Sequence, residues 1–420
     1  MSVHNKLVIG LFGFGVVGEG IYKVLNQTPS LQASIKKICI KHPEKKRDIN
    51  EKLLTTHYDE LLDDDEINVI VELINDTEEA YKIVTKALKN KKHVVSANKK
   101  MIAENFAELV ELQEQHGVSL LYEAAVCGSI PIIRNLEEYY DNDLLQSISG
   151  IVNWSTNFIL SKMATDHLTY NEALGKAQQL GFAETDPLLD VSGQDATNKL
   201  SILLAHAYGL VVHPQNILHA GITHLQESDA AFAREKSYKI KLVAQAYKLQ
   251  NGRVGAFVLP LFVAADSQLY NVADEYNGVI VESKLADKQF LYGKGAGRYP
   301  TSSAVISDIS ALQYQYKYEY KKLKRLDKNP LWNNFYLKVY VSFNNWSEIN
   351  KWDFEQVLEF HSTENRQYLI GIIHIEKLQR CAWFTDPFVS LILLPESIIE
   401  QDAIITNSLK KVSLQLAGVI

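Results

Sequence analysis

Lys6-Leu-Val-Ile-Gly-Leu-Phe-Gly13-Phe14-Gly15-Val16-Val17-Gly18 joins a short apolar run to glycines spaced G-x-G-x-x-G, and a helical pattern follows. Gly13 permits a tight turn at the end of a strand, Gly15 lets backbone approach a pyrophosphate, and Gly18 allows close helix–strand packing. A dinucleotide would set its phosphates on the positive end of that helix, against Phe14, Val16 and Val17 as well as the glycines. The same six-residue spacing also occurs in turns that hold nothing. A strand before it and a helix after it, within a repeated β/α pattern, give this copy its weight.

Strand candidates at Lys6–Phe12, Ile35–Ile40, Val69–Leu73, His93–Ser96 and Ser119–Ala124 alternate with helical patterns at Val17–Leu25, Glu78–Asn90 and Glu104–Gln115. A further helical pattern, Ile132–Tyr140, follows the last strand. Ala80, Ile83, Val84, Ala87 and Leu88 recur at helical spacing, which puts one helix face on a sheet. The expectation for residues 1–149 is a parallel sheet covered by helices on both faces. Residues 150–312 change rhythm and read as an α+β domain. Its helices are expected at Thr156–Met163, Tyr170–Leu180 and Gln194–Tyr208, and its strands at Ala256–Val263, Gly278–Glu282 and Gln289–Leu291. The chain is expected to return to the first domain near 293–312. A small third domain over 330–420 is expected from strands at Phe335–Phe343, Tyr368–Ile375 and Val389–Leu394.

Composition narrows the function classes. The 420 residues are 46% apolar, enough to bury a core without staples and consistent with two or three domains. A balance of 43 basic to 50 acidic side chains, net −7, argues against nucleic acid as the main partner. Three cysteines, Cys39, Cys127 and Cys381, form no disulfide framework, which favours a reducing cytoplasm. Apolar stretches such as Val389–Leu394 are far too short to span a membrane, and the start of the chain has no secretory pattern.

Local charge says more than the total. After Ile38-Cys39-Ile40 the chain reads Lys41-His42-Pro43-Glu44-Lys45-Lys46-Arg47. An acid at the end of the second strand would hold the ribose 2′-hydroxyl of NAD, whereas Lys41 and the cations after it suit a 2′-phosphate. NADP is therefore favoured over NAD, the alternative being a solvated basic loop. Asn98 and Lys99 end the apolar strand His93–Ser96 and would face the same crevice. Asp195 and Lys199 are four apart on a helical pattern and share a face, downstream of Glu184, Asp186 and Asp190 on a turn-rich segment. Alone, that pair reads equally as a surface ion pair and the upstream acids as turn caps.

Together these segments resemble homoserine dehydrogenase. The resemblance runs through the glycine turn, Ser96-Ala-Asn-Lys99, Tyr122 to Pro131, Gly150 to Asn157, Gly181 to Lys199, and Gly293-Lys-Gly-Ala-Gly297. It implies a Rossmann-type α/β dinucleotide-binding domain, an α+β substrate and dimerisation domain, and a small C-terminal domain of the ACT type in degenerate form. The implied activity is reversible, NAD(P)-dependent interconversion of L-homoserine and L-aspartate 4-semialdehyde, in the route to threonine and methionine. Lys199 and Lys99 are the implied catalytic pair, with Glu184, Asp195 and Asp190 on the substrate ammonium group and Gly295 near the cofactor. A monovalent cation, sodium by the resemblance, would be held by Glu123 and the carbonyls of Val126, Gly128 and Ile130. A homodimer is also implied.

Two departures keep other readings open. Trp154 stands where the family segment carries glycine, in Asn153-Trp154-Ser155-Thr156-Asn157. The tail is expected to begin strand–helix–strand, with its helix at Asp353–Phe360, but lacks the glycine-rich effector turn after Val341-Ser-Phe-Asn-Asn-Trp346. A non-catalytic sensor that retains the fold, or a dehydrogenase for a related amino alcohol, would carry the same motifs.

Overall fold

The computed structural model describes residues 6–142, 144–324, 331–363 and 366–400. The described residues fall into two compact units. The first comprises the described residues within 1–145, 198–214 and 291–328; the second comprises those within 146–197, 215–290 and 329–420.

In the first unit, strands β1 (Leu7–Phe12), β2 (Ala33–Cys39), β3 (Leu54–Thr55), β4 (Val69–Glu72), β5 (His93–Ser96) and β6 (Leu120–Leu121) form one sheet in the order 3-2-1-4-5-6. Every pairing in it is parallel. That order reverses direction between β1 and β4, and such a switch point opens a crevice at the carboxyl ends of the strands. Strands β1 and β4 are almost wholly buried, as a sheet covered on both faces requires. Helix Thr77–Lys89 buries Ala80, Ile83, Val84, Ala87 and Leu88, the stripe read from its spacing, and Asp76 caps it through the N–H groups of Glu78 and Glu79.

Three elements of this unit differ from the reading of the sequence. The strand expected over Ser119–Ala124 is paired only at Leu120–Leu121, because the N–H of Glu123 donates to Asp308 Oδ2 at 2.9 Å instead of to the sheet. The helix expected over Glu104–Gln115 forms as Phe106–His116, and an additional short helix, Lys99–Glu104, precedes it and ends where Asn105 turns its amide back to the Met101 carbonyl. The one expected over Ile132–Tyr140 widens after Arg134, and the Tyr140 N–H reaches back five residues to the Asn135 carbonyl.

The second unit is organised on a ten-stranded sheet. Its strands are β7 (Leu145–Ile151), β8 (Leu218–His219), β9 (Lys239–Lys248), β10 (Val254–Val263), β11 (Tyr276–Ser283) and β12 (Asp287–Lys294), then β13 (Tyr336–Phe343), β14 (Gln356–Thr363), β15 (Arg366–His374) and β16 (Ser390–Ile399). The order is 12-11-7-9-10-16-13-15-14, with β8 beside β10. The expected third domain is thereby corrected. Strand β16 pairs with both β10 and β13, and Phe257 and Leu259 of β10 share one core with Leu337, Val339, Leu391 and Leu393. Asp353–Phe360 is not a helix. Gln356–Thr363 is an edge strand whose β-branched and aromatic residues pair antiparallel with β15. The end of the expected domain, 401–420, lies outside the described residues.

Candidate active site

The glycine turn is built as its three positions require. Gly13 adopts φ +92°, and a Cβ there would stand 2.9 Å from the Leu73 carbonyl oxygen. At Gly18 a Cβ would stand 2.4 Å from the Gly13 carbonyl oxygen, so only glycine lets helix Val16–Gln27 begin this close to β1. Gly15 is different. It caps the helix with no side-chain hydrogen bond and has no atom within 4 Å of a built Cβ. First-turn N–H groups beside open space are the setting for a phosphate.

That turn borders a cleft of about 1060 Å³ lined by Gly13, Phe14, Gly15, Val16, Val17 and Gly18, by Lys41 beyond β2, and by Leu73–Asp76 beyond β4. Lys41, Lys45, Lys46 and Arg47 all line it, and Arg47 braces the loop by donating to the carbonyls of His42 at 2.9 Å and Lys45 at 2.7 Å. Asn98, Lys99 and Gly295 do not line this cleft. Asn98 is tied to it, since its Nδ2 donates to the carbonyl of the lining residue Ile74 at 3.1 Å. Its side-chain oxygen accepts the Met101 N–H and caps the helix that starts at Lys99.

Beneath Asn98 lies a carboxyl that the sequence reading passed over. Glu72, fully buried at the end of β4, accepts the Ser96 hydroxyl at 2.6 Å and the Ile74 N–H at 2.7 Å, and Ser96 Oγ in turn accepts the Asn98 N–H at 3.1 Å. Burial pushes its carboxyl up to about 7, although both hydrogen bonds favour the ionised form. From its ordinary value of 4.5 up to 7 the unfolded chain ionises while the folded chain keeps the proton, so stability falls as pH rises across that window. Glu72→Gln removes this cost and can still accept from Ile74 and donate to Ser96. It is expected to stabilise the fold at pH 8 by roughly 1–3 kcal/mol and to have much less effect at pH 5. Urea midpoints at the two pH values check this; equal shifts would contradict it.

Glu123 is also buried, and its two carboxylate oxygens accept the N–H groups of Ile133 at 2.8 Å and Arg134 at 3.0 Å. Arg134 Nη2 donates to the buried Asp308 at 2.6 Å. Two carboxyls thus face one guanidinium. Burial first, then Asp308, pushes Glu123 up to about 8, and burial pushes Asp308 up to about 6. The following loop turns through Cys127 (φ +58°) and Gly128 (φ +55°) and packs on the 293–297 loop. A Cβ at Gly128 would stand 2.5 Å from the Gly295 carbonyl oxygen, and the Ser129 N–H donates to the Lys294 carbonyl. Gly295 therefore stands beside the Glu123 loop. The Ile130 carbonyl accepts the Ile132 N–H at 2.8 Å, whereas no backbone N–H among the described residues donates to those of Val126 or Gly128.

In the second unit, Asn153 caps helix Trp154–Thr165 through the Thr156 N–H, and its Nδ2 donates to Asp190 at 2.6 Å and to Asp195 at 2.7 Å. Two of the three expected substrate carboxylates are thus gathered on one amide. Glu184 is exposed on the loop before them, its carbonyl held by Gln178 Nε2 at 3.0 Å. Trp154 does not project freely. Its ring packs edge-on against Phe182, 5.3 Å between centroids, and Phe182 also meets Phe158 at 4.7 Å, which fastens the Glu184 loop to the helix.

Helix Gln194–Tyr208 carries Asp195 and Lys199 one turn apart, 4% and 5% exposed. The surface ion-pair reading is thereby corrected: both groups are buried. Sequence reasoning missed Glu72, Asp308 and Arg134, together with Lys241. That buried lysine of β9 donates to Asn157 Oδ1 at 2.8 Å and to the Val272 carbonyl at 2.6 Å, and burial pushes it down to about 7. A charge closing an apolar strand was a usable signal for Glu72; Asp308 sits in a helix with no pattern that sets it apart. Among the described residues, no helix is long and apolar enough to cross a membrane.

Comparison with known proteins converges. The family model "Homoserine dehydrogenase, NAD binding domain" matches residues 13–123, and the model "Homoserine dehydrogenase" matches residues 131–310. The chain is 35% identical over 313 residues to the homoserine dehydrogenase of Bacillus subtilis, covering 72% of each protein. It is 38% identical over 315 residues to that of Synechocystis, again covering 72% of each. Among solved structures, a homoserine dehydrogenase from Thiobacillus denitrificans superposes with a TM-score of 0.81 at 27% identity, over 93% of this chain and 98% of that one. A hyperthermophilic archaeal homoserine dehydrogenase in complex with NADPH superposes with a TM-score of 0.64 at 25% identity, over 75% of this chain and 99% of that one.

Proposed function

The chain belongs to the homoserine dehydrogenase family, and on that premise we propose how its residues divide the work of the reaction. The enzyme interconverts L-homoserine and L-aspartate 4-semialdehyde with a nicotinamide dinucleotide, an amino-acid biosynthetic step. The dinucleotide, when bound, supplies or takes the hydride. Lys199 donates a proton to the carbonyl oxygen during reduction and takes it from the hydroxyl during oxidation. Lys99, first residue of the helix that Asn98 caps, is the second cation, directed to the cofactor carboxamide or the substrate. Asp190, Asp195 and Glu184 take the substrate ammonium. The observation that carries this reading is that one amide gathers Asp190 and Asp195, and that Asp195 precedes a buried Lys199 by one helical turn. Assays of homoserine against related amino alcohols, with NAD and NADP separately, test it. Homoserine is expected to give the highest kcat/KM; equal turnover of the alcohol without an ammonium group would overturn the carboxylate assignment.

NADP is the preferred cofactor in this reading, because Lys41 follows β2 where an acid would hold a ribose hydroxyl. Lys41→Glu is expected to raise KM for NADP about tenfold or more while KM for NAD stays level or falls. Steady-state kinetics with each cofactor check this. The enzyme is placed in the cytoplasm, as a homodimer formed through the second unit's sheet.

A monovalent cation, sodium, fits at Glu123. Hard cations take carboxylate and carbonyl oxygen, and the carbonyls of Val126 and Gly128 carry no backbone donor among the described residues. Ile130 would contribute a carbonyl that already accepts one hydrogen bond. The cation would hold ionised a carboxyl that burial otherwise keeps protonated up to about pH 8. Sodium affinity is therefore expected to rise about tenfold per pH unit below 8 and to level off above it. Thermal shifts in sodium against choline chloride at matched ionic strength read this out. A Glu123→Gln variant that kept the sodium response would contradict it.

A further inference from the structure

Asn153 is 2% exposed and has every polar atom of its side chain committed. Oδ1 accepts the Thr156 N–H at 2.8 Å and the Thr156 hydroxyl at 2.9 Å. Nδ2 spends its two hydrogens on Asp190 Oδ1 at 2.6 Å and Asp195 Oδ2 at 2.7 Å. The amide has one possible orientation. A flip would aim its N–H groups at the Thr156 N–H and its lone pairs at two carboxylates. The helix cap thus fixes which end of Asn153 faces the acids.

The acids come from different elements. Asp190 lies in the short helix Leu188–Val191 and Asp195 in the first turn of Gln194–Tyr208, with Gly193 (φ +87°) between them. Trigonal amide geometry sets the two accepting oxygens roughly 4–5 Å apart, a separation that like charges resist without shared donors. Hydrogen bonds this short to carboxylates are the strong, charge-assisted kind.

We propose that Asn153 is a positioning residue for the homoserine reaction, whose carboxamide, locked by its own helix cap, holds Asp190 and Asp195 together as a paired acceptor for the substrate ammonium. The proposal rests on the assignment of those carboxylates to the substrate. It also gives the site its selectivity: a cationic amino alcohol brings an ammonium donor to this pair of acceptors, which a neutral alcohol lacks.

Two variants separate this role from helix capping. Serine and aspartate both cap helices well, so Asn153→Ser and Asn153→Asp retain the Thr156 contact while losing the donors to the acids. Asn153→Ser is expected to melt within a few degrees of wild type and Asn153→Asp lower, because it buries a third carboxylate against the pair, and both to leave KM for NADP unchanged. Both should raise KM for homoserine at least tenfold and lower kcat/KM about 100-fold. Wild-type kcat/KM in both folded variants would overturn the proposal, as would equal losses toward homoserine and NADP. If wild type itself does not turn over homoserine, the reaction assignment fails separately. Calorimetry with L-homoserine then still decides the role of Asn153: binding lost in Asn153→Ser supports it, and unchanged binding overturns it.

Discussion

Lys199→Ala is expected to lower kcat for homoserine oxidation by about 10³-fold, within the range that loss of a positioned general base produces. The substitution removes the ammonium but adds no charge and no bulk, so NADPH affinity should stay within a factor of two to three. Lys199→Arg makes the argument sharper. A guanidinium keeps the positive charge but does not give up its proton near neutral pH, so it can stabilise an alkoxide yet cannot act as the base. If Lys199 transfers the proton, arginine is nearly as inactive as alanine. If it acts only as a fixed charge, arginine recovers much of the rate. Single-turnover rates with bound NADP separate the two. Lys199 stands 5% exposed on a helix that also carries Asp195 one turn earlier, which makes this position, rather than a solvated surface lysine, the one to test.

Gly15→Val and Gly18→Ala are expected to fail in opposite ways. At Gly15 the backbone lies at φ −89°, which any residue adopts, and no atom stands within 4 Å of a built Cβ. Valine should therefore leave the melting temperature almost unchanged. It would fill the space in front of the first-turn N–H groups, and the dissociation constant for NADPH should rise at least 100-fold. Gly18 meets the Gly13 carbonyl oxygen at 2.4 Å from a Cβ, closer than side-chain atoms ever pack. Even alanine must push the helix off β1, with a loss of stability of about 1–3 kcal/mol. Denaturation and fluorescence titration of the same two proteins resolve the contrast. Equal loss of stability in both would mean that Gly15 is structural and does not open a phosphate site.

How far the sequence could be read depends on how local each determinant is. The β1 turn, β5 and helix Gln194–Tyr208 follow from glycine spacing and apolar periodicity within a few residues, and they form where expected. Strand β9 escaped because Lys239, Lys241, Gln245 and Lys248 break its apolar pattern. Its strandness comes from ten consecutive antiparallel partners on β10. Asp353–Phe360 likewise fits the helix of a strand–helix–strand tail, and pairing of Gln356–Thr363 with β15 overrides that. The site shows the same division. Asn153 followed three residues later by Thr156 is a legible helix cap, but its partners lie 37 and 42 residues away. Glu72 is visible as an acid ending an apolar strand, while Ser96, which holds it, stands 24 residues on. Asp308 approaches Glu123 and Arg134 across more than 170 residues. No local pattern encodes such contacts; the family resemblance singled out Asp190 and Asp195 without revealing the amide that joins them.

The most direct measurement is the initial rate of NADP reduction by the purified full chain with L-homoserine, alongside Lys199→Ala at equal NADP occupancy. Homoserine-dependent turnover by the wild type and its near-complete loss in the variant are the expected result. A wild type that binds NADPH yet shows no homoserine-dependent reduction, or a variant that turns over at the wild-type rate, would contradict it.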